Sequence, residues 1–177
     1  VRIISGLYKG KRLIAPKQLP VRPTTDFAKE GLFNILNNRL YFDEVSMLDL
    51  FAGTGNIGFE FASRGCKNIT SVDAHYGCVS YIQKISEELS FPITAIKADV
   101  LKYLQHATGS FDLIFADPPY DFDHETLSKL VEGVYTNNLL NPQGLLIIEH
   151  TKHLDLSDIS NFQESRKYGG SVFSFFS

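Results

Sequence analysis

The chain has 177 residues, 44% of them hydrophobic and 21% charged, which suits a single folded domain with a substantial core. It holds no apolar run of about 18 residues that could span a membrane as a helix. Its two cysteines, Cys66 and Cys78, are too few for a disulfide framework and form no CxxC. The net charge of −3 is unevenly spread. Residues 1–22 carry Arg2, Lys9, Lys11, Arg12, Lys17 and Arg22 with no acid, leaving eleven basic against twenty acidic residues in the rest. A basic arm on an acidic body points to a polyanion contact at one end, and nucleic acid is the expected partner. No charged-then-apolar leader opens the chain, which begins with Val1, so a cytoplasmic location is expected.

In chain order, RIIS (2–5) and RLI (12–14) read as short strands separated by Gly6 and Gly10, a small hairpin. VRPTTD follows as an extended segment, because the residue before a proline is pushed out of the α region. Thr25 or Asp26 can cap a helix running to about Arg39, with Phe27, Leu32, Phe33, Leu36 and Leu40 as its apolar face. From residue 45 strands and helices alternate. Strands are expected at 45–51, 68–73, 93–99, 111–117 and 144–150, and helices near 56–64, 76–89, 100–107 and 123–137. Apolar strands with helical crossovers argue for a parallel sheet covered on both faces. The tail QESRKYGGSVFSFF reads as an antiparallel hairpin around Gly169-Gly170, giving a mostly parallel seven-stranded sheet. The expected fold is α/β and Rossmann-like, one domain over 1–177, with residues 1–40 as a basic hairpin-and-helix extension and 41–177 as the core. A monomer is expected.

Chemistry concentrates at the ends of the expected strands. Gly53, Gly55 and Gly58 in DLFAGTGNIG match G-x-G-x-x-G, a spacing that keeps a turn tight and lets a ligand approach the backbone. Asp73 ends the next strand, where an acid can accept hydrogen bonds from ribose hydroxyls. Together these indicate an adenosine-containing cofactor, either a nicotinamide dinucleotide or S-adenosylmethionine. Asp49 is placed to serve an amino acid moiety, and Asp99 to accept from an adenine amino group, which favours S-adenosylmethionine. His150 and His153 could pair on a helix around a metal, but no third ligand lies nearby.

The stretch FDLIFADPPYD ends a strand with an acid, two prolines and a tyrosine. In open α/β sheets ligands sit beyond the carboxyl ends of the strands. An exocyclic base amine is a poor nucleophile because its lone pair is delocalised into the ring. Acceptors aimed at both N–H bonds favour the nucleophilic nitrogen. Asp117 and the carbonyl of Pro118, held by the Pro118-Pro119 corner, can supply them, and Tyr120 can stack on the base. The expected substrate is a single-stranded or flipped base.

With these motifs in place, the chain resembles the RsmD family of ribosomal RNA small subunit methyltransferases. The resemblance runs from RIISGLYKGKRL through RPTTD, EGLFNIL, DLFAGTGNIGFE, FDLIFADPPY and GLLIIEH to RKYGGS. It implies a class I S-adenosylmethionine-dependent methyltransferase fold and methylation of guanine N2 in 16S rRNA, within the small ribosomal subunit or its assembly intermediate. It implies cofactor binding by Asp49, Phe51, Gly53, Gly55, Asp73 and Asp99, with Arg22 and Thr24 near the methionine end. It implies a catalytic loop of Asp117, Pro118, Pro119 and Tyr120, and an RNA-holding arm with Arg2, Lys9, Lys11 and Arg12. The family often has SGALG where this chain has TGNIG, and arginines where Phe27 and Lys29 stand. Three rivals remain: an adenine-N6 methyltransferase, a nicotinamide-dependent oxidoreductase, and a non-catalytic RNA-binding assembly factor.

Overall fold

The computed structural model describes residues 1–177. Helix α1 spans Asp26–Asn37, and Thr25 caps it by accepting from the Ala28 amide. Strand β1 (Ser46–Leu50), helix α2 (Asn56–Ser63), β2 (Asn68–Asp73), α3 (Tyr76–Leu89), β3 (Ile93–Lys97), α4 (Val100–His106), β4 (Phe111–Ala116) and α5 (His124–Thr136) follow in strict alternation. Strands β5 (Leu140–Thr151), β6 (Phe162–Tyr168) and β7 (Ser171–Phe176) complete a seven-stranded sheet of order β3-β2-β1-β4-β5-β7-β6. Strands β1 to β5 pair in parallel, and β7 runs antiparallel to both β5 and β6.

The period-2 alternation of the strands divides the core. Leu48, Leu50, Ile114, Ala116, Leu146 and Ile148 meet the apolar faces of α4 and α5 on one side of the sheet. Met47, Leu113, Phe115, Ile147, Phe173 and Phe175 meet α1 and α2 on the other. Both faces being covered, the central strands need no polar side, and their near-continuous apolar sequence follows.

Three expectations are corrected. The N-terminal strands shrink to one bridge, Arg2 with Arg12, although Ile3 and Leu13 still pair with Lys11 and Val1 through backbone bonds. Side chains fix this arm instead of a ladder. Ile3 and Leu13 are buried against Phe59, Ile82 and Phe91, and Glu60 accepts from the Ile4 and Ser5 amides at 2.9 and 3.0 Å. Strand β5 begins at Leu140, ahead of Pro142 and Gly144, with a register shift against β4 and Gln143 at φ 67°. His150 and His153 share no helix. His150 ends its ring bonds on the Thr151 carbonyl at 2.9 Å and the Ser174 hydroxyl at 2.6 Å. It therefore donates from Nδ1 and accepts at Nε2, and burial holds its pKa below the usual histidine value.

Candidate active site

The carboxyl ends of β1, β2, β3, β4 and β5 open into one cavity of about 560 Å³. Parallel pairing aligns these ends, so residues far apart in sequence converge. Arg22, Thr24, Asp49, Phe51, Gly53 and Asp73 line it, together with Asp99 and the whole Asp117–Tyr120 loop.

The turn after β1 bends the chain sharply. Phe51 sits at φ 59°, a left-handed conformation that costs a non-glycine residue energy, and Gly53 and Gly55 follow at 57° and 85°. Asp73 braces this turn by accepting from the Gly53 amide at 2.9 Å and, with its other oxygen, from the His75 amide at 2.9 Å. Its expected ribose contact thus shares the carboxylate with two structural bonds. Asp99 uses Oδ1 to cap α4 at the Lys102 amide and also lines the cavity. Gly55, unlike Gly53, is not among the residues lining the cavity. It opens α2, and a Cβ there would stand 2.8 Å from Phe59, so its role is close packing and a positive φ.

Asp49 is 2% exposed, and its Oδ2 has no hydrogen-bond partner. Burial pushes its pKa up to about 8, Asp73 adds to the rise, and the Gly58 amide works against it. Asp117 is raised well above its ordinary value, first by burial, then by the charges of Glu149 and Asp49, with Arg22 opposing. The Arg22 guanidinium lies 4.6 Å from the centroid of the Tyr120 ring, which is 62% exposed at the mouth. Phe51 and Phe122 meet edge-on at 5.4 Å beneath the loop.

Glu149 was not among the expected site residues. It stands near the end of β5, 8% exposed, and lines the cavity beside Asp117. Thr24 donates to its Oε1 at 2.6 Å and Ser171 to its Oε2 at 3.1 Å. The one signal in the sequence is an acid in the otherwise apolar run GLLIIEH. Arg22 is the only lysine or arginine on the cavity wall, against five carboxylates. Such a wall disfavours a pyrophosphate and suits a cationic ligand.

The expected RNA contacts divide. Lys9, Lys11 and Arg12 are exposed and make no ion pair. Arg2 instead meets Asp26 at 3.1 Å and Glu30 at 3.3 Å and ties the arm to α1. Lys29 is fully buried, paired with Glu60 at 3.0 Å and bonded to Asn56 and the Arg2 carbonyl. Phe27 is 65% exposed and packs edge-on against Tyr168.

A family model described as conserved hypothetical protein 95 matches residues 1–177. The ribosomal RNA small subunit methyltransferase D of Haemophilus influenzae is 35% identical over 170 residues, covering 92% of this chain and 84% of the relative. Among solved structures, the Escherichia coli protein YhhF superposes with a TM-score of 0.85 at 24% identity, covering 99% of this chain and 96% of that one. A T. thermophilus 16S rRNA N2 methyltransferase (RsmC), in complex with AdoMet and guanosine, superposes at 0.70 with 23% identity, covering 89% of this chain and 44% of that one. At these identities the two structures speak to the fold alone.

Proposed function

This chain belongs to the RsmD family, the group whose family model is described as conserved hypothetical protein 95, and from that membership we propose that it transfers a methyl group from S-adenosylmethionine to the N2 amine of a guanine in 16S rRNA. The observation that carries the reading is a carboxylate-walled cavity lined by Asp117-Pro118-Pro119-Tyr120, Asp49, Asp73 and Asp99.

S-adenosylmethionine supplies an electrophilic methyl group on a sulfonium sulfur. The chain's own residues bind and aim the reactants. Asp49 and Thr24 serve the amino acid end, the Phe51–Gly53 turn approaches by its backbone, and Asp73 and Asp99 face the ribose and adenine. Asp117 and the Pro118 carbonyl each accept one N–H of the base amine, which holds the nitrogen lone pair out of the ring. Tyr120 stacks on the base, with Arg22 behind its ring. Positioning and electrostatics carry the catalysis, and the methylated amine sheds its extra proton without a strong base. Lys9, Lys11 and Arg12 hold the RNA backbone. The substrate is the small subunit or an assembly intermediate in the cytoplasm.

Labelled S-adenosylmethionine, offered with unmethylated small subunits, naked 16S rRNA and DNA, tests the reading. Label recovered as N2-methylguanosine from rRNA is expected. Label in N6-methyladenosine overturns the substrate while keeping the chemistry, and no label with the cofactor bound overturns the enzyme reading.

A further inference from the structure

The Asp117–Tyr120 loop reads an amine but not the base that carries it. Adenine and guanine both present an exocyclic NH2 group, and an acceptor pair on that nitrogen serves either. The bases differ at the neighbouring ring nitrogen: guanine N1 carries a hydrogen and donates, whereas adenine N1 accepts. We infer that Glu149 is the residue that selects guanine, its carboxylate accepting the hydrogen bond from the base N1–H. This rests on the methyltransferase reading above and extends it to one side chain.

The topology places Glu149 for this role. In the β4–β5 register Ala116 pairs with Ile148, so the next residue on each strand sets Asp117 beside Glu149. Neighbouring strands lie about 4.8 Å apart, so two adjacent carboxylates can meet the two adjacent donors of one base edge. Both residues also line a second, narrower cavity that continues from the first past the Pro118-Pro119 corner to Thr151 and Gly170. That recess lies between the loop that holds the amine and the start of β7. At about 30 Å³ it is too small for a purine, so the base edge would meet Asp117 and Glu149 from the 560 Å³ cavity that both also line.

The bonding of Glu149 fits a reader more than a structural anchor. Glu60, more deeply buried, is fully engaged by Lys29, Arg64 and the Ile4 and Ser5 amides. Glu149 receives only two neutral hydroxyl donors, one per oxygen, from Thr24 and Ser171. Each carboxylate oxygen can accept more than one bond, so one acceptor site per oxygen stays open. The two hydroxyls come from opposite ends of the chain and hold the group in a fixed orientation. Burial raises its pKa against the two hydroxyl bonds and the Arg22 charge, and a further bond from the base would favour the ionised form.

The test uses 2-aminopurine, which keeps the 2-amino group and replaces the N1–H by an acceptor. The methylated guanosine is first mapped with the wild-type enzyme. Small subunits are then reconstituted with guanine or 2-aminopurine at that position. Wild-type kcat/KM is expected to fall about 100-fold on 2-aminopurine, the scale of one charge-assisted bond lost and an acceptor left facing a carboxylate. Glu149→Gln keeps the shape and one hydroxyl bond, the other hydroxyl turning to accept from the amide, whose second N–H can donate to the 2-aminopurine N1. It is expected to lose about 100-fold on guanine, little on 2-aminopurine, and to hold S-adenosylmethionine within about threefold of wild type. Equal losses on both bases, with weaker cofactor binding, would mean that Glu149 only supports Thr24, and the inference fails. Equal wild-type rates on the two bases also overturn it, without any variant having to fold. A wild-type enzyme that labels no guanine at all overturns the parent reading and the inference with it.

Discussion

Asp49 and Asp117 differ in what their burial does. For Asp49, a folded-state pKa near 8 means that the folded chain keeps a proton which the unfolded chain loses near pH 4. Apo-protein stability therefore falls as pH rises from about 4 to about 8 and is flat above, a cost on the order of 5 kcal/mol for the full shift. Asp49→Asn removes that slope, so its thermal midpoint should exceed wild type at pH 8 and match it near pH 4, while cofactor binding is lost. S-adenosylmethionine stabilises the ionised form, so wild-type affinity measured by calorimetry should tighten about tenfold from pH 6 to pH 7. In the proposed reaction Asp117 acts on the acceptor instead. Asp117→Ala should fold, bind cofactor with unchanged affinity, and lose about 100-fold or more in kcat with small subunits as substrate. The sequence already marks both residues, because each is an acid closing an apolar strand before a turn. It hides Glu149, since an acid followed by histidine and threonine inside a strand looks like the strand's exposed edge. Only the register with β4 shows which way that residue serves.

At the scale of elements, the alternating strands and helices are legible because period-2 and period-3.6 patterns of apolar residues survive in short windows. The N-terminal arm is not, because what orders it is a side chain 55 residues away. Glu60 on α2 accepts the Ile4 and Ser5 amides, Lys29 of α1 and Arg64, and so joins three elements in one buried cluster. Removing one partner leaves an uncompensated buried charge. Lys29→Met should therefore cost about 3–5 kcal/mol in urea unfolding and speed hydrogen exchange at the Ile4 and Ser5 amides. Gly6 makes the adjoining contact. It sits at φ 88°, and a Cβ there would fall 1.9 Å from the Ser63 carbonyl oxygen, while Leu7 donates to that same oxygen at 2.7 Å. Gly6→Ala should unseat the arm from α2 yet leave the sheet intact, which amide exchange resolves: protection lost at Ile3, Leu7 and Leu13 and kept in β1 and β4.

Across the whole molecule, the arm and the cavity divide the work of binding a large polyanion to a site whose own wall is acidic. Five carboxyl groups line the cavity and Arg22 is its only lysine or arginine, so it offers an RNA backbone little positive charge. The approach of RNA must then be driven from elsewhere, and the arm gathers three exposed, unpaired basic side chains at Lys9, Lys11 and Arg12. The sequence counts Arg2 with Lys9, Lys11 and Arg12, yet Arg2 is spent on Asp26 and Glu30 and the other three are free. The distinction has a measurable form. Each phosphate contact contributes about 0.7 to 0.9 to the slope of log affinity against log salt. Replacing Lys9, Lys11 and Arg12 together by glutamine should weaken small-subunit binding and flatten that slope by about 2 to 3, with cofactor affinity and thermal midpoint unchanged. Arg2→Gln should do the reverse, lowering the midpoint as the arm loosens from α1 while the slope changes by less than about 1. An unchanged slope in the triple variant would mean that the RNA is held by some other face of the protein.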